Sequence, residues 1–277
     1  MSDTFGRLAL HTWTIDTTDL KTALDAIKQA GYAAAELRRT DFKRCYEAGL
    51  SNDEVLALIK ASDVPVGVLG VEYGWLFASG AESERLFADL RVSCANAIAL
   101  GCPMLMCAPG PWSGPLHDAV DNLRAAAEVA EEHGLNLAIE FNSQHEVLNC
   151  LEVLRELVKT ADRDNVGMLL DAYHLARSGR PGRGFAEVPG EEIMHFQYSD
   201  LPEHPVTGLK RPTDRLPPGD GVIRWTEVFR LLAEKGYTGL ISYEAPNPAL
   251  WARSPYEVCR EGFERTQALI AEATRVG

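Results

Sequence analysis

Two rhythms of apolar and polar residues alternate along this chain. Short runs rich in Val, Ile, Leu and Ala occur at residues 7–13, 32–37, 64–71, 104–108, 135–140, 166–171, 192–200 and 237–244. Their length and makeup read as strands, and the least polar of them as strands buried on both faces. Between them apolar residues recur three and four apart, at 18–30, 51–61, 82–100, 117–134, 147–160, 225–235 and 255–273. That spacing lines one face of an amphipathic helix. Gly31 and Gly101 act as helix stops, and Ser51 with Glu54 forms a capping box. Strand and helix signals alternate without a linker or a shift in composition. The pattern predicts an α/β fold, a (β/α)8 TIM barrel in a single domain over residues 1–277. A doubly wound sheet is the alternative, but no glycine-rich nucleotide-binding turn follows the first strand.

Composition narrows the picture. Hydrophobic residues make up 46% of the 277, enough for a sizeable core, and the formal charge is -13. An acidic chain with no basic stripe is a poor partner for nucleic acid. No run of eighteen apolar residues and no cationic segment leading into an apolar one is present, so neither a membrane span nor a signal peptide is expected, and the location expected is cytoplasmic. Cys45, Cys94, Cys102, Cys107, Cys150 and Cys259 show no CxxC spacing and read as reduced thiols.

The chemistry gathers where the apolar runs end. VGMLLDAYHLAR at 166–177 delivers Asp171 and, three residues later, His174. Counting along the chain, the fifth to eighth strands close on Glu140, Asp171, Gln197 and Glu244. In a barrel these ends converge on one face, crowding three carboxylates and an amide. Like charges so close would force a proton onto one of them unless a cation neutralises the group. One divalent metal ion answers this. Oxygen donors without clustered cysteine favour manganese, magnesium or cobalt, with zinc as a further option. Open positions on such an ion could chelate a substrate carbonyl and its neighbouring hydroxyl, easing removal of the intervening proton.

Other residues have two readings each. His195 faces the same side of its strand as Gln197 and either supports the site or packs in the core. His11, near the end of the first strand, could enter the pocket. Arg38 binds a substrate hydroxyl or pairs with Glu36. Glu72, Tyr73, Trp75 and Phe77 in the loop after the third strand could wall a cavity. Lys210, Arg211 and Arg215 make one long loop basic, for capture of an electron-rich oxygen or carboxylate or for salt bridges to Asp214 or Asp220.

Several segments carry a family resemblance over nearly the whole length: AELR at 35–38, LAIEF at 137–141, DRDNVGMLLDAYH at 162–174, DRLPPGDGVI at 214–223 and ISYEAPNPALWARSPYEV at 241–258. The chain resembles the xylose isomerase-like TIM-barrel superfamily of sugar phosphate isomerases and epimerases, most of all the 2-keto-myo-inositol (inosose) isomerase type. The resemblance implies Glu140, Asp171, Gln197 and Glu244 as metal ligands, and His174 and Arg215 as substrate contacts. Many relatives carry histidine where Gln197 stands. Glutamine there resembles hydroxypyruvate isomerases and 3-dehydroshikimate dehydratases, which weakens transfer of the inosose substrate.

The expected function is a divalent-metal-dependent isomerase or epimerase of a small keto-sugar or keto-cyclitol through a stabilised enediolate. Glu140 and Glu244 would transfer the proton, His174 would orient a hydroxyl, and Arg215 would hold the distal end, with His195, Arg38 and His11 as further substrate contacts. The alternative is a dehydratase of the 3-dehydroshikimate type, since the same enolate can expel a β-hydroxyl. A DNA-repair role and a barrel without turnover stand further back. Relatives of this kind are often dimers or tetramers, so a homo-oligomer is an option.

Overall fold

A computed structural model describes residues 7–209 and 211–275. Eight strands are found among them: β1 Leu8–His11, β2 Ala34–Leu37, β3 Val66–Gly70, β4 Met104–Cys107, β5 Asn136–Glu140, β6 Val166–Asp171, β7 Ile193–Tyr198 and β8 Ile241–Tyr243. All pair in parallel and in chain order, and β8 closes on β1, so the sheet is a (β/α)8 barrel. Closure leaves no open edge, and every strand C-terminus points to the same face.

Helices wrap the barrel: α1 Leu20–Ala30, α2 Arg39–Glu47, α3 Asn52–Ala61, α4 Gly80–Leu100, α5 Leu116–Glu131, α6 Leu151–Ala161, α7 Ala172–Arg177, α8 Trp225–Glu234, α9 Pro248–Trp251 and α10 Pro255–Arg275. Local chemistry sets their ends. Asp19 accepts from the Thr22 N–H at 3.0 Å to start α1, and Gly31 at φ 91° stops it. Glu54 accepts from the Ser51 N–H at 2.8 Å, completing the capping box of α3. The helix α2 escapes the hydrophobic pattern because RTDFKRCYE buries only Asp41 and Phe42. The helix expected at 147–160 starts later, at Leu151, because the chain before it folds back through an Asn142 N–H to Leu148 carbonyl bond of 3.0 Å.

The barrel interior is layered. Val68, Met106, Ala138 and Leu169 form an apolar plug, with Met104, Met194 and Leu240 packed against it. Small residues make room for the large ones: a Cβ on Gly167 would stand 2.7 Å from Met194 Cβ, and one on Gly67 2.1 Å from Leu240 Cδ1. Two residues further along β6, toward the C-terminal face, Asp171 follows Leu169 and sits in register with Gln197. His11 and Glu36 are likewise paired in register. All six cysteines are free thiols, and no described helix is long and apolar enough to cross a membrane.

Candidate metal and substrate centre

Strand ends supply the centre. Glu140 and Asp171 close β5 and β6, Gln197 is the penultimate residue of β7, and Glu244 follows β8, its N–H bonded to the Tyr198 carbonyl at 3.0 Å. Asp171 works twice. Its Oδ1 caps α7 by accepting from the Tyr173 N–H at 2.9 Å, which leaves Oδ2 for the centre and sets His174 in the first helical turn. Ligand atoms of Glu140, Asp171 and His174 then lie within 4.8 Å of one another. His174, assigned from sequence to the substrate alone, thus also stands within reach of a shared cation.

Arg215 draws the remaining acid in. Its Nη1 donates to Asp171 Oδ2 at 2.5 Å and to Glu244 Oε2 at 2.8 Å, and its Nη2 lies 3.2 Å from His174 Nε2. The guanidinium also lies over the Tyr173 ring, 4.4 Å from its centroid. His174 Nδ1 accepts from the Ser143 N–H at 3.3 Å and lies 2.9 Å from the Ser143 hydroxyl, which can donate or accept, while Nε2 faces the Arg215 guanidinium.

Burial and charge set the protonation. Burial pushes the Glu140 carboxyl well above its ordinary range, Asp171 and Glu244 add to this, and Arg215 opposes it. Asp171 is also raised by burial, against the pull of Arg215. Burial, then Arg215 and Arg177, press His174 far below its ordinary value, so its ring is neutral. Among the described residues, Glu140 Oε1 and Gln197 Oε1 are buried without any hydrogen-bond partner. Two idle oxygen acceptors, with acids raised first by burial and then by one another's charge, are a donor set that a hard divalent cation fits.

Under this ring lies a buried polar network that sequence reading missed. Glu36 accepts from Gln197 Nε2 at 2.8 Å through Oε1, and its Oε2 lies 3.0 Å from His195 Nε2. Burial would raise the Glu36 carboxyl, but His195 and His11 outweigh it and hold the group at about 2. The suggested Glu36–Arg38 pair does not form. Arg38 leaves the strand in another direction and is enclosed by Asp16, by Asp41 Oδ1 at 2.6 Å and by Thr12 Oγ1 at 3.1 Å. His11 stands beside Glu244, with Nδ1 3.3 Å from Oε1. Neither His195, Arg38 nor His11 lines the cavity above the centre.

That cavity holds about 360 Å³, with Glu140, His174, Arg215 and Glu244 among its lining. Trp13, Tyr73 and Trp112 are aromatic walls, whereas Trp75 is buried in the core and Phe77 stacks on His145 at 5.2 Å. Arg211 also lines it, stacked over Trp13 at 4.4 Å. Lys210 lies outside the described residues. Neither expected salt bridge holds Arg215: Asp214 takes the Tyr173 hydroxyl at 2.7 Å, and Asp220 pairs with Arg265 at 2.5 Å. Instead Asp200 builds the loop that presents Arg215. Its carboxylate accepts from the N–H groups of Leu201, Gly219 and Ile223 and from Trp225 Nε1, at 2.7 to 3.0 Å. A Cβ on Gly221 would come within 2.5 Å of Asp200 Oδ1, so the glycine lets the backbone close on it.

Comparison with known proteins agrees with this architecture. The profile of the family described as xylose isomerase-like TIM barrel matches residues 24–268. An inosose isomerase of Halalkalibacterium halodurans is 23% identical over 266 residues, 94% of each chain. A 3-dehydroshikimate dehydratase of Pseudomonas aeruginosa is 32% identical over 185 residues, which is 65% of this chain but only 25% of that longer protein. The crystal structure of the IOLI protein with a bound zinc atom superposes with a TM-score of 0.86 at 21% identity, over 96% of this chain and 99% of that one.

Proposed function

The chain belongs to the xylose isomerase-like TIM-barrel family, and from that membership we propose that it is a divalent-metal-dependent isomerase or epimerase of a small keto-sugar or keto-cyclitol. The observation that carries this reading is the cluster of Glu140, Asp171 and His174, with ligand atoms within 4.8 Å of one another beneath a cavity that Glu140 and His174 line. Beside it are buried oxygens, partnerless among the described residues, on Glu140 and on Gln197, the residue in register with Asp171. Glu140, Asp171, Gln197 and Glu244 would hold the ion, with His174 adjacent. Manganese, magnesium or cobalt suits such oxygen donors, and zinc suits the added imidazole. The bound ion supplies a Lewis acid that polarises a carbonyl.

The rest falls to the protein. Glu140 and Glu244 emerge from different strands and serve as proton donor and acceptor at the carbon beside the carbonyl. His174, neutral and fixed by Ser143, orients a substrate hydroxyl without adding charge. Arg215, set among Asp171, Glu244 and His174, meets a substrate oxygen at the floor of the cavity and not at the distal end expected from the sequence, and Trp13, Tyr73 and Trp112 offer apolar walls to the substrate carbons. A volume of about 360 Å³ suits a single small ring better than a polymer. The inosose isomerase that aligns over 94% of both chains favours a keto-cyclitol among such rings.

One observation favours a second reading, dehydration of a 3-dehydroshikimate-like acid: glutamine at position 197, together with the 32% identical dehydratase segment. Both reactions begin with the same proton abstraction. The test is to dialyse the protein against a chelator, restore manganese, and supply 2-keto-myo-inositol and 3-dehydroshikimate separately. Metal-dependent appearance of an isomeric ketone by NMR supports the leading reading. Metal-dependent growth of an aromatic absorbance from 3-dehydroshikimate alone replaces it with the second. Turnover indifferent to the chelator overturns the metal in both.

A further inference from the structure

Gln197 is the one neutral member of the proposed ligand ring, and an amide can turn either its oxygen or its nitrogen toward a cation. Only the oxygen binds a metal; the NH2 group has no lone pair to offer and would repel it. Something must choose between the two faces. Both oxygens of Glu36 are occupied as acceptors, Oε1 by Gln197 Nε2 at 2.8 Å and Oε2 by His195 Nε2 at 3.0 Å. A carboxylate in that position can receive only the NH2 face of the amide. Gln197 Oε1 is left on the other side, buried and without a partner among the described residues. Turning the amide over would set two oxygens against each other at hydrogen-bond distance and strand the NH2 group.

We propose that Glu36 is the positioning residue of the centre: it locks the Gln197 amide with its oxygen toward the metal position, and His195 in turn locks Glu36. The proposal rests on the metal-dependent reading above. Glu36 is fully buried, belongs to β2, and touches neither the cavity nor the acids at its floor. Of the four proposed ligands it hydrogen-bonds Gln197, while its charge adds to the burial that raises the Glu140 carboxyl, so the exchange variant, which keeps the total charge, is the one to compare with wild type. A glutamine ligand needs such a partner more than a histidine would, because a ring nitrogen carries no amide ambiguity.

The test measures manganese binding by the paramagnetic resonance of the free ion, in the full chain, for the wild type, Glu36→Gln, and the exchange Glu36→Gln with Gln197→Glu. In Glu36→Gln the partner amide can meet either face of Gln197, and affinity should fall about 10- to 100-fold, the usual effect of removing a group that orients a ligand. The exchange restores one donor against one acceptor and gives position 197 an oxygen in either orientation, so it should recover wild-type affinity or better. Cobalt added to Glu36→Gln should show a shifted visible spectrum, which a change in stability alone would not produce. Wild-type affinity in folded Glu36→Gln overturns the proposal. If Glu36→Gln does not fold, a folded exchange variant that still binds weakly overturns it, and one that binds as wild type supports it. A wild type that binds no manganese, zinc or cobalt overturns the metal reading itself and this inference with it.

Discussion

Glu140 and Gln197 each keep a buried oxygen without a partner among the described residues, and at the scale of single residues the proposed metal centre rests on these together with the cluster of Glu140, Asp171 and His174. Strand-end acids were legible in sequence because a barrel turns every strand C-terminus to one face, so Glu140, Asp171 and Glu244 could be expected as neighbours. Glu36 was not. It lies one residue before the end of β2, where AELR reads as an ion pair, and only closure of the barrel sets β2 across from Gln197 and His195. Replacing Glu140 or Glu244 by Gln should each lower turnover by about 10²- to 10⁴-fold, read from steady-state rates; wild-type turnover in both would contradict their roles. Glu36 makes a separate prediction about pH. Its folded value of about 2 lies below the ordinary 4.5, so the stability it contributes is present above 4.5 and lost as pH falls toward 2. In metal-free protein, thermal melts should show the wild type losing stability relative to Glu36→Gln across that interval. A gap that does not change with pH would refute the depressed value.

Elements act by delivering these residues at the right height. The helix α7 begins on Asp171, which explains the three-residue step to His174 that the sequence displayed without its cause. The loop of residues 214–223 was legible as a family segment bearing Arg215 but not in its ordering, which comes from Asp200, at a distance in sequence, and from a glycine at 221 that admits the carboxylate. Asp200→Ala should cost about 3 kcal/mol in urea unfolding, since buried N–H donors lose their acceptor. With Arg215 no longer held, KM should rise more than kcat falls. A variant as stable as wild type with unchanged KM would show that the loop is ordered by other contacts. The missed helix α2 teaches the same lesson from the other side: charged around most of its surface, it is fixed by Arg38, Asp16 and Asp41 rather than by an apolar face.

At the scale of the whole molecule, eight alternations of strand and helix were enough to foresee the barrel, because that pattern has few compact solutions. What it could not display is the sorting of the interior into an apolar plug, a polar layer and a ring of acids. That sorting ties metal to stability: an ion bound by the folded ring and not by the unfolded chain should raise the melting temperature as its concentration rises, adding about 2.7 kcal/mol to the unfolding free energy at a hundredfold excess over its dissociation constant. A melting temperature indifferent to manganese, cobalt and zinc would deny the ring that role. The most direct measurement is solvent deuterium uptake by 2-keto-myo-inositol, followed by NMR, with protein stripped by chelator and then restored with manganese. Deuterium should enter the carbon next to the carbonyl faster than in protein-free buffer only in the restored sample, and not with Glu140→Gln or Glu244→Gln. Equal uptake with and without the metal, or undiminished uptake in both variants, would contradict the proposed metal-dependent proton transfer.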